Sequence, residues 1–179
     1  MNNTFSPTLT KDIPMTPSKT AGKTAETDKT KPVTKDAIAL LKADHEAVSQ
    51  LFAEYETTRS PSTKKSLVAE ICNALSVHAQ IEEEIFYPAV KTALKDKLLV
   101  PEATVEHTTV KELIAQLQGV EPDGEMVDAK VKVLSECVEH HVKEEQNEMF
   151  PKAKASSLDM AELGARMAAR KDALLAQTT

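Results

Sequence analysis

Residues 78–88 read His-Ala-Gln-Ile-Glu-Glu-Glu-Ile-Phe-Tyr-Pro, and residues 141–151 read His-Val-Lys-Glu-Glu-Gln-Asn-Glu-Met-Phe-Pro. The two stretches share a histidine, a glutamate four residues later and an aromatic residue followed by proline at the end. In an α-helix, side chains four residues apart lie on the same face, about 6 Å apart along the axis. Each stretch therefore predicts a helix that points a His and a Glu in one direction. We expect Pro88 to kink its helix or divide it in two, and Pro151 to end the other.

Around this repeat, apolar residues recur at alternating intervals of three and four, which is the spacing of a buried helix face. The pattern predicts helices over about 36–58, 61–95, 101–118 and 127–151, followed by an amphipathic helix over 158–176. The composition agrees, because Ala, Leu, Val, Glu and Lys dominate, Gly occurs four times and Trp is absent. Four long helices with short connections favour an all-α, antiparallel up-down four-helix bundle.

Polar residues occupy six positions on the predicted inward faces, where apolar residues precede or follow them at helical spacing. An ionised carboxylate buried without a partner is costly, and an unpaired buried imidazole is also unfavourable. Because all four long helices contribute, one common partner is needed, and a pair of metal ions supplies it. The predicted metal ligands are His45, His78, Glu82, His107, His141 and Glu145.

The order His, His-x-x-x-Glu, His, His-x-x-x-Glu, with Tyr-Pro and Phe-Pro closing the second and fourth helices, resembles the hemerythrin-like (HHE cation-binding) domain. The resemblance covers roughly residues 36–151, and each ligand position is filled. It implies an up-down four-helix bundle with an oxo- or hydroxo-bridged di-iron (Fe²⁺/Fe³⁺) centre; zinc or manganese would suit the same donors. It also implies a small diatomic ligand or peroxide as partner, because family members bind dioxygen, sense oxygen, iron or nitric oxide, or handle peroxide.

The chain departs from the oxygen-carrying members of that family. Those members have a His-x-x-x-His pair on the third helix and a terminal Asp ligand. Here the positions four residues from His107 hold Ala103 and Lys111, and the last carboxylate is Glu145. With one imidazole fewer, the metal ions keep open positions, as catalytic sites require. We therefore expect redox chemistry such as peroxide turnover in preference to reversible oxygen carriage.

Three functions remain open at this point. The leading one is a hemerythrin-like di-iron metal-binding or sensing protein that interacts with dioxygen, peroxide or nitric oxide. The alternative is a dedicated peroxide- or nitric-oxide-reducing enzyme with catalase- or peroxidase-like activity, and the third is a structural bundle without metal. A ferritin-like di-iron enzyme is disfavoured, because none of the five histidines has Glu three residues before it. A zinc protease is disfavoured because His-Glu-x-x-His is absent.

Other polar residues near the predicted ligands receive simpler interpretations. His140 lies off the inward face and is interpreted as a flanking residue. Glu46 and Glu106 adjoin ligand histidines but point elsewhere on their helices, so at most they hydrogen-bond to a ligand. Tyr55 and Tyr87 could lie near the metals, but core packing is the simpler interpretation of both. Cys72 and Cys137 are expected to act as small buried hydrophobes.

The predicted domains are a disordered tail over 1–35, the bundle over 36–155 and a C-terminal amphipathic helix over 156–179. The tail is rich in Thr, Lys, Pro and Ser and has few large apolar residues to bury. The tail contains six Lys and three acidic residues, so its net charge is positive. The rest of the chain therefore carries a net charge more negative than the overall -6. An acidic folded part argues against a nucleic-acid partner. We also expect no membrane partner and a cytoplasmic location, because no apolar run is long enough for a membrane span or a secretory signal.

Overall fold

The computed structural model describes residues 35–119 and 124–177. Within these ranges the chain is helical and has no strand, which confirms the all-α prediction for this part. The predicted disordered tail lies outside the described residues except for Lys35, and so do residues 120–123, between the third and fourth predicted helices. No helix in these ranges is both long enough and apolar enough to span a membrane.

The described helices follow the predicted ones closely, and three of them begin at a side-chain cap. A side-chain oxygen of Asp36, Ser60 or Asp159 accepts a hydrogen bond from a backbone N–H of the first turn, and such a cap contributes about 1 kcal/mol. The elements are α1 (Ala37–Thr57), α2 (Pro61–Ile81), α3 (Tyr87–Ala93), α4 (Leu99–Leu117), α5 (Glu125–Glu144), α6 (Phe150–Lys154) and α7 (Met160–Leu175).

Two π-helical turns carry the chain through the prolines of the repeat. The first, Glu82–Phe86, joins α2 to α3, and the second, Glu145–Met149, joins α5 to α6. Proline has no N–H, and in an α-helix its ring collides with the carbonyl four residues back. Widening one turn of the helix relieves this collision. The backbone N–H of Tyr87, before Pro88, donates to the backbone carbonyl oxygen of Glu82. The backbone N–H of Phe150, before Pro151, donates to the backbone carbonyl oxygen of Glu145. The predicted break at Pro88 and end at Pro151 are thus replaced by one wide turn inside a continuous helix.

The buried apolar residues form two separate clusters along the bundle. One cluster contains Leu41, Ile81, Phe86 and Phe150, together with residues of α7. The other contains Phe52 and the apolar faces of the opposite halves of α1, α2, α4 and α5. Cys72 is buried in this second cluster, and Cys137 packs against it half-buried. The apolar core is therefore interrupted in the middle.

The C-terminal helix α7 packs on α1 and α2 and so belongs to the same bundle. Arg170 donates two hydrogen bonds to Glu84 of the first π-helical turn, at 2.7 and 3.0 Å, and Lys171 pairs with Asp44 of α1. The closest approach is at Gly164, where an added Cβ would lie 2.4 Å from the carbonyl oxygen of Lys35. Only a residue without a side chain lets α7 sit this close to the start of α1.

Replacing Gly164 by Ala is therefore expected to destabilise the fold by about 1–3 kcal/mol, the usual cost of overpacking. The measurement is the free energy of unfolding from chemical denaturation. The sign is diagnostic, because a Gly-to-Ala change inside an exposed helix normally stabilises by about 1 kcal/mol. A stabilised variant would show that α7 does not rest on α1 in solution.

Candidate metal centre

The layer between the two apolar clusters is polar and is formed by the six predicted ligands. None of these side chains belongs to either cluster, and all six are buried, with Glu82 0% and Glu145 1% exposed. Along each long helix, a histidine stands where one apolar cluster ends and the other begins. The helices thus bring together, at one level of the bundle, groups that burial would otherwise penalise. The side chains are His45, His78, Glu82, His107, His141 and Glu145.

Donor atoms of these residues fall into two groups, within each of which all atoms lie within 4.8 Å of one another. One group contains His45, His78, Glu82 and Glu145, and the other contains Glu82, His107 and His141. The histidine pairs are close, with Nε2 atoms 3.1 Å apart for His45 and His78 and 3.2 Å apart for His107 and His141. This is the arrangement of donors that two neighbouring cations require.

The two carboxylates lie between the histidine pairs. Oε2 of Glu82 is 3.2 Å from Nε2 of His78 and 3.4 Å from Nε2 of His107. Oε2 of Glu145 is 3.3 Å from Nε2 of His45 and 3.7 Å from Nε2 of His141. Each carboxylate therefore faces one histidine from each pair, which is the position of a bridging ligand.

The histidines point Nε2 inward because their Nδ1 atoms face an outer ring of polar residues. Each outer residue is next to one predicted ligand in sequence. Its side chain, however, lies close to the histidine of the following helix, in the order α1, α2, α4, α5 and back to α1. Such outer contacts fix the ring orientation and tune the basicity of a ligand histidine. The pairs are Asp44 with His78 at 3.6 Å, Glu83 with His107 at 3.0 Å, Glu106 with His141 at 2.7 Å and Gln146 with His45 at 3.3 Å.

Lysines hold two members of this outer ring. Lys111 donates to both carboxylate oxygens of Glu83 at 2.6 Å, and Lys171 pairs with Asp44. The sequence interpretation left Glu106 open as an outer contact and did not identify Asp44, Glu83 or Gln146. The signal was present, because a residue next to a ligand is turned by about 100° around the helix and so faces a neighbouring helix.

The ring of Tyr87 belongs to the first apolar cluster and packs against Phe86, which confirms its interpretation as a core residue. Its hydroxyl lies inside the polar layer, close to the proposed ligands. It donates to Oε1 of Glu145 at 3.0 Å and lies 3.1 Å from Nε2 of His107. The equivalent residue of the second half is Phe150, whose ring stacks on His45 with centroids 5.9 Å apart. The two halves of the repeat therefore differ by one hydroxyl at the centre.

The other polar residues near the site lie outside the layer. His140 has a side chain that is 66% exposed, and its Nε2 is 3.6 Å from Glu106 and 3.4 Å from Glu144. Glu46 is exposed and accepts a hydrogen bond from Gln50. Away from the site, the Tyr55 hydroxyl donates to Asp128 in the region of the second apolar cluster.

Electrostatics within the layer favour an ionised Glu82 carboxylate. Burial opposes ionisation of Glu82, yet the charges and hydrogen bonds of His78 and His107 hold its pKa well below the ordinary value. Burial likewise opposes protonation of His78, but the Glu82 charge raises the pKa of His78 to about 10. Burial and the charges of Glu82 and Glu145 raise the pKa of Tyr87, so its hydroxyl stays protonated and donates. The layer thus contains a buried anion at Glu82 that requires positive charge beside it.

Three buried polar atoms of the layer make no hydrogen bond: Oε1 of Glu82, Oε2 of Glu145 and Nδ1 of His78. Buried polar groups are almost always partnered in folded proteins, so a carboxylate oxygen left over needs a reason. A cation between the histidine pairs would satisfy both carboxylate oxygens. Imidazole nitrogen and carboxylate oxygen also form a donor set that suits iron, zinc and manganese. The residues present therefore fit a metal pair.

Comparison with known proteins agrees with this geometry. The Hemerythrin HHE cation binding domain matches residues 36–153, and the chain therefore belongs to this family, whose members bind metal cations. A crystal structure of an HHE cation-binding domain-containing protein from Mycobacterium kansasii has the same fold, with a TM-score of 0.66 and 24% identity. The similarity covers 78% of this chain and 87% of that one.

A curated relative, a DNA nickase of Nostoc sp. (strain PCC 7120), is 28% identical over 111 residues. The match covers 62% of this chain and 31% of the nickase, so this chain corresponds to about a third of that protein.

Proposed function

We propose that this protein holds two iron ions between its His and Glu donors and uses them to interact with dioxygen, peroxide or nitric oxide. The observation that carries the proposal is that Glu82 and Glu145 each have a buried carboxylate oxygen that accepts no hydrogen bond, beside four inward-facing imidazoles. An apolar core gains nothing from buried carboxyl groups whose oxygens are not fully hydrogen-bonded. A metal pair would bind both.

The donors divide between two ions. His45 and His78 would serve one ion and His107 and His141 the other. Glu82 belongs to both donor groups, and Oε2 of Glu145 in the first group is also 3.7 Å from Nε2 of His141, so both carboxylates would be shared. This supplies each ion with two imidazoles and two shared carboxylates, which leaves positions for a small ligand. When bound, the iron pair would exchange electrons with that ligand.

The same proposal includes the antiparallel up-down order of the long helices. Only three residues separate α1 from α2, and so short a connection favours antiparallel neighbours. The outer ring supports this order, because its contacts run from each long helix to the next in sequence and close from α5 to α1. A cytoplasmic location stays a prediction of the sequence.

Within this function, Tyr87 favours chemistry on a bound ligand over simple carriage. Its hydroxyl is held among the proposed ligands by Glu145, and its raised pKa keeps it protonated, so it would act as a hydrogen-bond donor. A positioned donor at a place where negative charge develops typically contributes about 10²–10³-fold to the rate. This observation supports the alternative of a peroxide- or nitric-oxide-reducing enzyme.

The function is tested by metal analysis and peroxide addition on protein purified without oxygen from its native host. We expect about two iron ions per chain, by the donor count above, and consumption of added hydrogen peroxide. Protein that carries no metal after such purification would support the structural interpretation instead. A lasting dioxygen adduct without peroxide consumption would support a carrier.

Replacing Tyr87 by Phe is expected to lower peroxide turnover per bound iron at least about tenfold, because the hydrogen-bond donor beside the proposed ligands is lost. Tyr55→Phe is the matched control, since Tyr55 carries the same hydroxyl away from the site. The readouts are iron per chain and the initial rate of peroxide loss. Unchanged turnover per iron in Tyr87→Phe would exclude a role of this hydroxyl in turnover.

DNA nicking is not part of the proposal. The region shared with the Nostoc nickase is 31% of that protein, and the net charge of -6 disfavours binding to a phosphate backbone.

A further inference from the structure

A largely apolar cavity of about 290 Å³ extends from the polar layer towards the surface. All four histidines of the layer line one part of it, and side chains of α1, α2, α4, α5 and α7 form the rest. The apolar lining includes Val48, Leu51, Ala74, Leu75 and Val138. The charged residues along it, Asp44, Glu70 and Lys171, are half-buried or exposed.

The size of the cavity exceeds what a diatomic ligand needs. An apolar cavity of about 150 Å³ in a protein core stays dry and holds benzene, which has six carbon atoms. This cavity is about twice as large and approaches the lower end of ordinary small-molecule pockets, about 300 Å³. Dioxygen or nitric oxide would leave most of the space unfilled, and water would find few partners on these walls.

We propose that the cavity binds an uncharged organic molecule of about ten non-hydrogen atoms, of the class of organic hydroperoxides, with its oxygen end at the histidines. This substrate class rests on the proposed function, since the histidines that face the cavity are the proposed iron ligands. The hydrocarbon body would lie against Leu51, Ala74 and Leu75, where apolar burial favours it. The proposal concerns binding and orientation of the molecule in the cavity.

The test uses cumyl alcohol, which has an aromatic body and a hydroxyl in place of the hydroperoxide. Calorimetric titration of the metal-loaded full chain is expected to give one site with a Kd below about 1 mM, within the range for a ligand of this size. Ala74→Phe places a ring in the cavity and should weaken binding at least about tenfold. If this variant does not fold, Ala74→Val should weaken binding by a smaller factor.

The matched control is Ala53→Phe. Ala53 is exposed on α1 and lines a second cavity that also reaches His45 but lies between α1 and α5. The Ala53→Phe substitution introduces the same ring without filling the first cavity, so the binding of cumyl alcohol should stay unchanged. Loss of binding in Ala53→Phe with retention in Ala74→Phe would overturn the proposal and assign the ligand to the second cavity.

Metal content measured on the same samples separates this proposal from the function on which it rests. Two irons per chain with no binding of cumyl alcohol would overturn the organic ligand and leave the iron centre intact. If the purified protein contains no metal but binds cumyl alcohol, and Ala74→Phe weakens that binding, the cavity remains a ligand site and the iron centre is contradicted. Binding together with metal, lost only in the Ala74 variant, is the expected result.

Discussion

Replacing Glu82 by Ala is expected to lower the metal content of the purified protein from about two ions per chain to well below one. Glu82 belongs to both donor groups and is fully buried between a histidine of each pair. Loss of an outer contact to a ligand already costs about 10–100-fold in metal affinity, and loss of a shared ligand should cost more. The measurement is metal per chain after dialysis, with the free metal concentration held constant.

Glu148→Ala is the matched control for this loss. Glu148 lies in the second π-helical turn, is 60% exposed and pairs with Lys152, so the substitution removes the same charge without touching the donors. It should retain the full metal content. Full occupancy in Glu82→Ala would show that the carboxylate is not shared between ions, and the bridging role would have to be abandoned.

The sequence predicted the parts of this site that depend on one helix at a time. Burial of His78 and Glu82 on one face follows from the period of the helix, and the repeat at His141 and Glu145 shows that a second helix carries the same pair. The convergence of six donors followed from the cost of burying each alone. Whether these side chains ligate metal stays a prediction, which the Glu82 variant tests.

What the sequence could not supply depends on contacts between helices. Asp44 is next to His45 in sequence, but its side chain points towards the next helix and lies close to His78. The same reason hid Glu83 and Gln146. The π-helical turns could not be foreseen either, since a proline inside a helix can kink, break or widen it, and the surrounding packing selects among these. The position of Tyr87, five residues after Glu82 across the wide turn, follows from that choice.

The second large effect is a change in the free energy of unfolding whose sign depends on whether metal is bound. A variant with both His78→Leu and Glu82→Leu is expected to be more stable than the wild type without metal, by about 1–4 kcal/mol. Replacing a buried ion pair by apolar residues of similar size commonly has this effect. Nε2 of His78 and Oε2 of Glu82 are 3.2 Å apart in a layer that two apolar clusters enclose. Without metal, the layer carries the cost of desolvated charge and unpartnered oxygens.

With metal, the order of the two proteins should reverse. Ions that bind the folded state add their binding free energy to its stability, whereas the leucine variant has lost two donors and gains little. Chemical denaturation at saturating metal and with a chelator measures both free energies of unfolding. A double Lys132→Leu, Glu136→Leu variant is the control, because this ion pair has the same spacing of four residues but is exposed and has no contact with the proposed ligands. Its effect should stay within about 0.5 kcal/mol under both conditions.

This reversal of relative stability on metal binding distinguishes a metal centre from a structural bundle. If His78 and Glu82 serve only the fold, their replacement changes the free energy of unfolding by the same amount with and without metal. If they exist to hold cations, the metal-free protein gains from losing them and the metal-bound protein does not. Glu82 and Glu145 each have a carboxylate oxygen that accepts no hydrogen bond, which favours the second outcome, since buried polar groups that serve only the fold are almost always hydrogen-bonded.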